Sequence, residues 1–143
     1  MKLWKVIAGL TILSFALVTS LGCARVLGPG PEEVTRQWYE AVGEFDAAQM
    51  YQLTHPERRD ALEAALKNPL ITVSAAVGLQ KREYFDMRYT VVFDDGQAAR
   101  VHVTGKVANR LGIIDTVDET VELRKFEGRW LIWSAEGWFQ EGQ

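Results

Sequence analysis

Residues 83–107 read EYFDMRYTVVFDDGQAARVHVTGKV, and this stretch decides the architecture. Phe85, Met87, Tyr89, Val91 and Phe93 alternate with Asp86, Arg88, Thr90 and Val92, a period of two that predicts a long, half-buried strand. Asp94-Asp95-Gly96-Gln97 predicts a turn. Beyond it Ala99, Val101, Val103, Gly105 and Val107 alternate with Arg100, His102, Thr104 and Lys106. The two phases constrain the register. A two-residue Asp95-Gly96 loop would set Val91 against Arg100 and mismatch the faces. Matched faces set Phe93 opposite Ala99, Val91 opposite Val101 and Tyr89 opposite Val103. Thr90 then opposes His102, and Arg88 opposes Thr104. An irregular or bulged turn is therefore expected.

Downstream, residues 117–126 and 129–139 form a second hairpin around Glu127-Gly128. An even loop pairs Lys125 with Trp130, Leu123 with Ile132 and Val121 with Ser134. Extended further, that register sets Glu119 opposite Glu136. On the other face it pairs Arg124 with Leu131 and Glu122 with Trp133. An indole among charges suggests a second, partly covered surface.

Upstream, the period is helical. Pro31-Glu32-Glu33 places proline in a first turn and acids at the positive dipole end. Val34, Trp38, Ala41, Val42 and Phe45 then make one apolar stripe. Asp46 caps a second helix, with Gln49 three residues on as capping-box partner and Met50, Tyr51 and Leu53 as apolar contacts. Thr54 or His55 caps a third, with Pro56 in its first turn and Ala61, Leu62, Ala65 and Leu66 as its stripe. Asn68-Pro69 ends it. Residues 70–79 are apolar and fit either a short helix or a buried loop. Helices run together and strands run together, so the fold class is α+β, with N-terminal helices packed on a curved antiparallel sheet of about four strands.

The first residues read as an address. Lys2 and Lys5 precede sixteen uncharged residues, 6–21, and then Gly22-Cys23. Sixteen residues rise about 24 Å as a helix, short of the roughly 30 Å hydrocarbon core, which favours a cleaved signal over a spanning anchor. Thr19-Ser20-Leu21-Gly22-Cys23 resembles a bacterial lipobox, with Ser20 where leucine is commonest. The resemblance implies a signal peptide over 1–22, a diacylglyceryl group on the Cys23 thiol, and a lipidated tether over 23–30. Two or more acyl chains anchor stably where one binds only marginally. The folded domain is then 31–143. Removal of residues 1–22 takes two lysines and no acids, moving the net charge from −3 to −5.

Composition narrows the function. The 143 residues allow a single domain, and 48% hydrophobic with 24% charged residues is an ordinary globular balance. A net charge of −3 without a basic run argues against nucleic acid. One cysteine and two histidines supply no cysteine-rich or three-histidine metal site, so no metal and no cofactor are expected.

Residues 31–139 are similar to the nuclear transport factor 2-like superfamily, which includes ketosteroid isomerase-like and SnoaL-like proteins. The carriers are Pro31-Glu32-Glu33-Val34, Trp38-Tyr39-Glu40-Ala41, Phe45-Asp46-Ala47-Ala48 and Leu123-Arg124-Lys125-Phe126-Glu127-Gly128-Arg129-Trp130. Small envelope lipoproteins of that superfamily are nearest in character. The resemblance implies a cone-shaped domain, helices on the concave sheet face, a pocket between them, and often a homodimer through the convex face.

Several residues are candidates for chemistry. Glu119 and Glu136, if paired, cannot both ionise cheaply, and a carboxyl with a raised pKa suits proton transfer. Two solvated carboxylates at a sheet end are the bland alternative. Trp38, Tyr89, Phe93 and Trp130 are candidate pocket-lining residues, or simply core. Arg88, Arg100 and His102 share a strand face that could hold an anion, or is solvated. His55 is most simply a cap. The expected role is that of an exported, membrane-anchored envelope lipoprotein, a non-enzymatic domain binding a small apolar ligand or an envelope protein. The alternative is a small isomerase, dehydratase or hydrolase using the carboxylate pair. A third reading is a dimerising accessory with a filled cone and an apolar surface around Trp133.

Overall fold

The computed structural model describes residues 28–139. The expected signal segment, the expected lipidation residue Cys23 and most of the expected tether lie outside the described residues. Helix α1 spans Pro31–Glu44, α2 Ala47–Leu53, α3 Arg59–Leu66 and α4 Pro69–Ala76. A 3-10 turn at Pro56–Arg58 precedes α3. The strands are β1 Arg82–Asp94, β2 Ala98–Asn109, β3 Ile114–Phe126 and β4 Arg129–Ser134. They form an open antiparallel sheet in the order β1-β2-β3-β4. The architecture is α+β, with α1 packed against β1, β2 and β4.

Local chemistry accounts for the helix ends. Pro31 begins α1. The helix closes through Phe45 at φ 55°, with Asp46 N–H bonded to Ala41 O and Phe45 N–H to Val42 O. That is the paired-bond Schellman closure, here with a left-handed residue that is not glycine. Asp46 then caps α2, its Oδ1 accepting from Gln49 N–H at 3.0 Å. His55 Nδ1 accepts from Glu57 N–H and caps the 3-10 turn. Asn68 caps α4, so residues 70–79, left open by the sequence, begin as a helix.

Val34, Trp38, Ala41 and Val42 of α1 are buried, as are Met50, Leu53 and Leu62. Tyr51, expected as an apolar contact, is exposed instead, with the Arg59 guanidinium 4.7 Å above its ring. From the sheet, Ala99, Val101, Val103, Val121, Leu123 and Ile132 complete the core.

The β1–β2 register has Tyr89 opposite Val103, Thr90 opposite His102, Val91 opposite Val101 and Arg88 opposite Thr104, as the alternation predicts. Two irregularities correct it. Near the turn, Phe93 faces Arg100 rather than Ala99. Near the strand start, Phe85 pairs with Lys106 and Arg88 with Thr104, so Asp86 and Met87 together oppose Gly105. Asp86 sits at φ 54°. This bulge shifts the phase: Tyr84 pairs with Val107 and packs on the core, while the Phe85 ring lies 5.9 Å from Lys106 Nζ. A Cβ at Gly105 would collide with Met87 Sδ and stand 3.0 Å from Met87 Cα, so any other residue there requires Met87 to shift.

The last hairpin pairs Lys125 with Trp130, Leu123 with Ile132 and Arg124 with Leu131, as expected. A shift between Glu122 and Leu123 then sets Ser134 against Glu122 instead of Val121, and β4 stops there. Beyond β4, Thr54 bridges Ile132 in parallel, and His55 N–H donates to Ile132 O at 2.8 Å.

Candidate functional site

The site forms where the C-terminal half of α1 meets β1. Gly43 makes this approach possible: a Cβ there would stand 2.9 Å from Arg82 O and 3.3 Å from Tyr84 Cδ2. One helical turn earlier, Tyr39 is buried. Its ring meets Tyr84 edge-on, with centroids 5.1 Å apart at 86°, and Tyr89 at 5.9 Å and 56°. The Asp86–Met87 bulge puts Tyr84 and Tyr89 on this face together, because strict alternation would send residues 84 and 89 to opposite faces.

Two clefts adjoin this tyrosine cluster. The larger, about 730 Å³, has Tyr39, Tyr84, Met87 and Tyr89 in its walls, with Arg36, Glu40, Glu44, Arg82 and Glu83 among its charged residues. The second, about 310 Å³, shares Tyr39, Tyr84 and Arg82 with it. It adds Trp38, Trp138, Asp115, Asp118, Glu119 and Glu136.

Glu119 is the unusual residue here. It follows Val117 and precedes Val121 on the inward phase of β3, opposite Val103. Its carboxylate accepts from the Tyr39 hydroxyl. Burial pushes the Glu119 pKa up, the Tyr39 hydrogen bond opposes that, and the Glu136 charge adds to the rise. Burial also raises the Tyr39 pKa, reinforced by the bond and the charge of Glu119. Tyr89 is pushed up to about 12, chiefly by burial. Tyr39 is the hydrogen-bond donor of the pair with Glu119.

Glu119 and Glu136 do come together, but not through the extended ladder. The shift at Glu122 and the end of β4 exclude that pairing, and the turn after Ser134 brings Glu136 back instead. Glu136 is exposed while Glu119 is half-buried. Tyr39 as the partner of Glu119 was not anticipated. The signal was a glutamate in the apolar phase Val117-x-Glu119-x-Val121-x-Leu123.

The other candidates divide. Trp38 lines the smaller cleft and stacks on Phe139, with centroids 5.8 Å apart. Tyr89 lines the larger one. Trp130 is core, with Lys125 Nζ 4.9 Å from its ring. Phe93 is exposed beyond either cleft, under the Arg100 guanidinium at 5.0 Å. His102 Nε2 bonds Asp118 Oδ1 at 2.8 Å, and Arg100 pairs across the ladder with Glu122. Arg88 is exposed on that same outer face. These carboxylates offset the positive charge proposed for an anion. Trp133 is half-buried beneath Arg124, 3.5 Å away, and His55, 5.1 Å away, so its ring is occupied within the chain.

Among the described residues, no group of three His, Cys, Asp or Glu side chains is placed to hold a metal ion. No helix among them is long and apolar enough to cross a membrane.

No family model matches the chain, and no curated protein matches it. Among solved structures it is similar to the solution structure of a SEC-C motif-containing protein from Rhodopseudomonas palustris, at 23% identity and a TM-score of 0.47, over 71% of this chain and 73% of that one. The expected membership of the nuclear transport factor 2-like superfamily is corrected: no family model matches the chain, and the solved structure is described as a SEC-C motif-containing protein. The stretches that carried it are a helix start, a helix stripe, a cap and a hairpin turn, which local helix and turn chemistry explains without a family.

Proposed function

We propose that the chain is a membrane-tethered, extracytoplasmic lipoprotein whose folded domain binds a small amphipathic molecule in the larger α1–β1 cleft. The observation that carries the binding role is the wall of three tyrosines, Tyr39, Tyr84 and Tyr89, beside a cleft of about 730 Å³. That volume lies within the roughly 300–1,000 Å³ of small-molecule sites. The rings suit an apolar body, and Arg36, Arg82 and Glu40 offer polar contacts at its ends. In this reading the bulged sheet is concave towards α1. The lipobox-like Thr19-Ser20-Leu21-Gly22-Cys23 supports the anchor and the envelope location.

Two measurements on membrane-extracted protein test the reading. Intact mass is expected to match residues 23–143 plus lipid, with the lipid lost in Cys23→Ala. Native mass spectrometry is expected to find a copurifying small molecule that Tyr84→Ala releases. A domain that purifies empty, and gains no thermal stability from any member of a metabolite panel, would sink the binding role.

A second reading has its own observation, the inward Glu119 carboxylate held by the buried Tyr39 phenol. It is a small isomerase or dehydratase in which Glu119, tuned by Glu136, accepts and returns a proton. Glu119→Gln separates the two. Under the binding reading it keeps the copurifying molecule unchanged. Under the enzymatic reading the variant holds unconverted substrate where the parent holds product.

A further inference from the structure

Helix α4 is apolar on all sides: Pro69-Leu70-Ile71-Thr72-Val73-Ser74-Ala75-Ala76 contains no charge, and none of these residues is buried. Leu70 is 81% exposed and Val73 67%. A helix this apolar in a globular chain belongs inside it or against something else. The β2–β3 turn repeats the anomaly, with Leu111 73% and Ile113 61% exposed. The two segments are neighbours. Gly78 follows α4 at φ 72°, and a Cβ there would stand 2.8 Å from Arg110 Nη1. One end of the molecule therefore presents two exposed apolar segments near one another, a helix and a turn.

Charge distinguishes this end from the rest. Residues 64–82 and 103–114 contain Lys67, Lys81, Arg82, Lys106 and Arg110 and no acid, in a chain of net charge −3. Lys67 pairs with Glu63 one turn back on α3, Lys81 with Glu44 and Lys106 with Asp86, and Glu44 and Glu83 share a surface cleft with Arg110. Arg82 and Arg110 have no ion pair among the described residues. Apolar side chains beside unpaired arginines fit the boundary between acyl chains and anionic headgroups.

The tether allows it. Residues 24–30 reach up to about 25 Å when extended. Helix α1, which follows them, is 14 residues, about 21 Å. Its C-terminal Glu44 shares a small surface cleft with Asn109 and Arg110 at the patch. A tether as long as α1 lets an anchor at Cys23 and the patch lie in one plane.

We infer that the α4 and β2–β3 turn patch is a second membrane contact, laying the domain against an anionic lipid surface. The inference rests on the tethered reading above, because the anchor brings the patch within reach of lipid.

The test uses the full lipidated chain in phosphatidylethanolamine–phosphatidylglycerol vesicles. Val73→Cys, Ile113→Cys and, as control, Thr90→Cys each carry an environment-sensitive fluorophore. All three sites are surface positions, so folding is preserved. Emission at positions 73 and 113 is expected to shift to the blue and to be quenched by nitroxide-labelled lipid, while position 90 does neither. Water-like emission at 73 and 113 on vesicles overturns the proposal. So does a blue-shifted, dimeric protein in detergent whose probes lipid quenchers do not reach, because a second copy then covers the patch. Intact mass reports the anchor separately. A lipidated chain whose probes stay in water fails only the patch. An unlipidated chain whose probes still insert fails only the anchor.

Discussion

Glu119 occupies a position that alternation assigns to an apolar side chain, and the fold accommodates it with one phenol, the Tyr39 hydroxyl. The consequence for stability has a definite sign. A carboxyl whose pKa rises on folding holds its proton more tightly folded than unfolded. Its contribution is complete below the ordinary carboxyl value of 4.5 and is lost as pH climbs through the raised value. Glu119→Gln keeps an acceptor for Tyr39 without the charge. Urea midpoints of parent and variant are expected to be close at pH 4 and to diverge in the variant's favour towards pH 8. A parent that gains on the variant over that interval would contradict the burial-driven rise. At this scale the sequence was only half legible. Glu119 and Glu136 could be singled out as acids near one another. Tyr39 could not, because its contact with Glu119 spans 80 positions and depends on where α1 crosses the sheet.

At the scale of elements, legibility followed locality. The Asp46 cap, the Pro31 start and the central β1–β2 register rest on neighbours or on strict period, and all appear as read. The β1 bulge does not, since Phe85, Met87 and Tyr89 continue an unbroken apolar alternation through it. What marks it lies on the opposite strand, where Gly105 interrupts a run of valines. Gly105→Ala is expected to lose about 1–3 kcal/mol in urea unfolding, the usual loss for forcing a methyl into a filled space. A parental midpoint would mean that the bulge can flatten. Replacing the cap, Asp46→Ala, is expected to cost about 1 kcal/mol in the same assay. Helix α4 stayed ambiguous for a different reason: residues apolar on every side give no period to read.

Across the whole molecule, burial is uneven. Val101, Val103 and Val121 at the sheet centre are fully enclosed, whereas α4 contributes nothing to the core. Amides of β2 are therefore expected to exchange only through global opening, and those of α4 through local fraying. With ordinary domain stability of ~5 kcal/mol or more, hydrogen–deuterium exchange at Val101 and Val103 should be on the order of a thousandfold slower than at residues 70–77. Comparable rates in the two segments would show that α4 is held by contacts beyond those described. The arrangement of helices on an open sheet could be read from the order of periods alone. The uneven protection could not, because it depends on which elements α1 covers.

The parallel bridge of Thr54 to Ile132 makes the two margins of the sheet unequal. Strand-by-strand polymerisation needs a free margin to template the next chain, and at β4 that position is already taken by the chain's own segment. Among the described strands, β1 is the margin without such a bridge. There the irregularities after Phe85 and after Val91 leave only four-residue runs, 82–85 and 88–91, as uninterrupted template. Each is shorter than the six or seven residues typical of amyloid-forming segments, so the protein should resist fibril formation for as long as it stays folded.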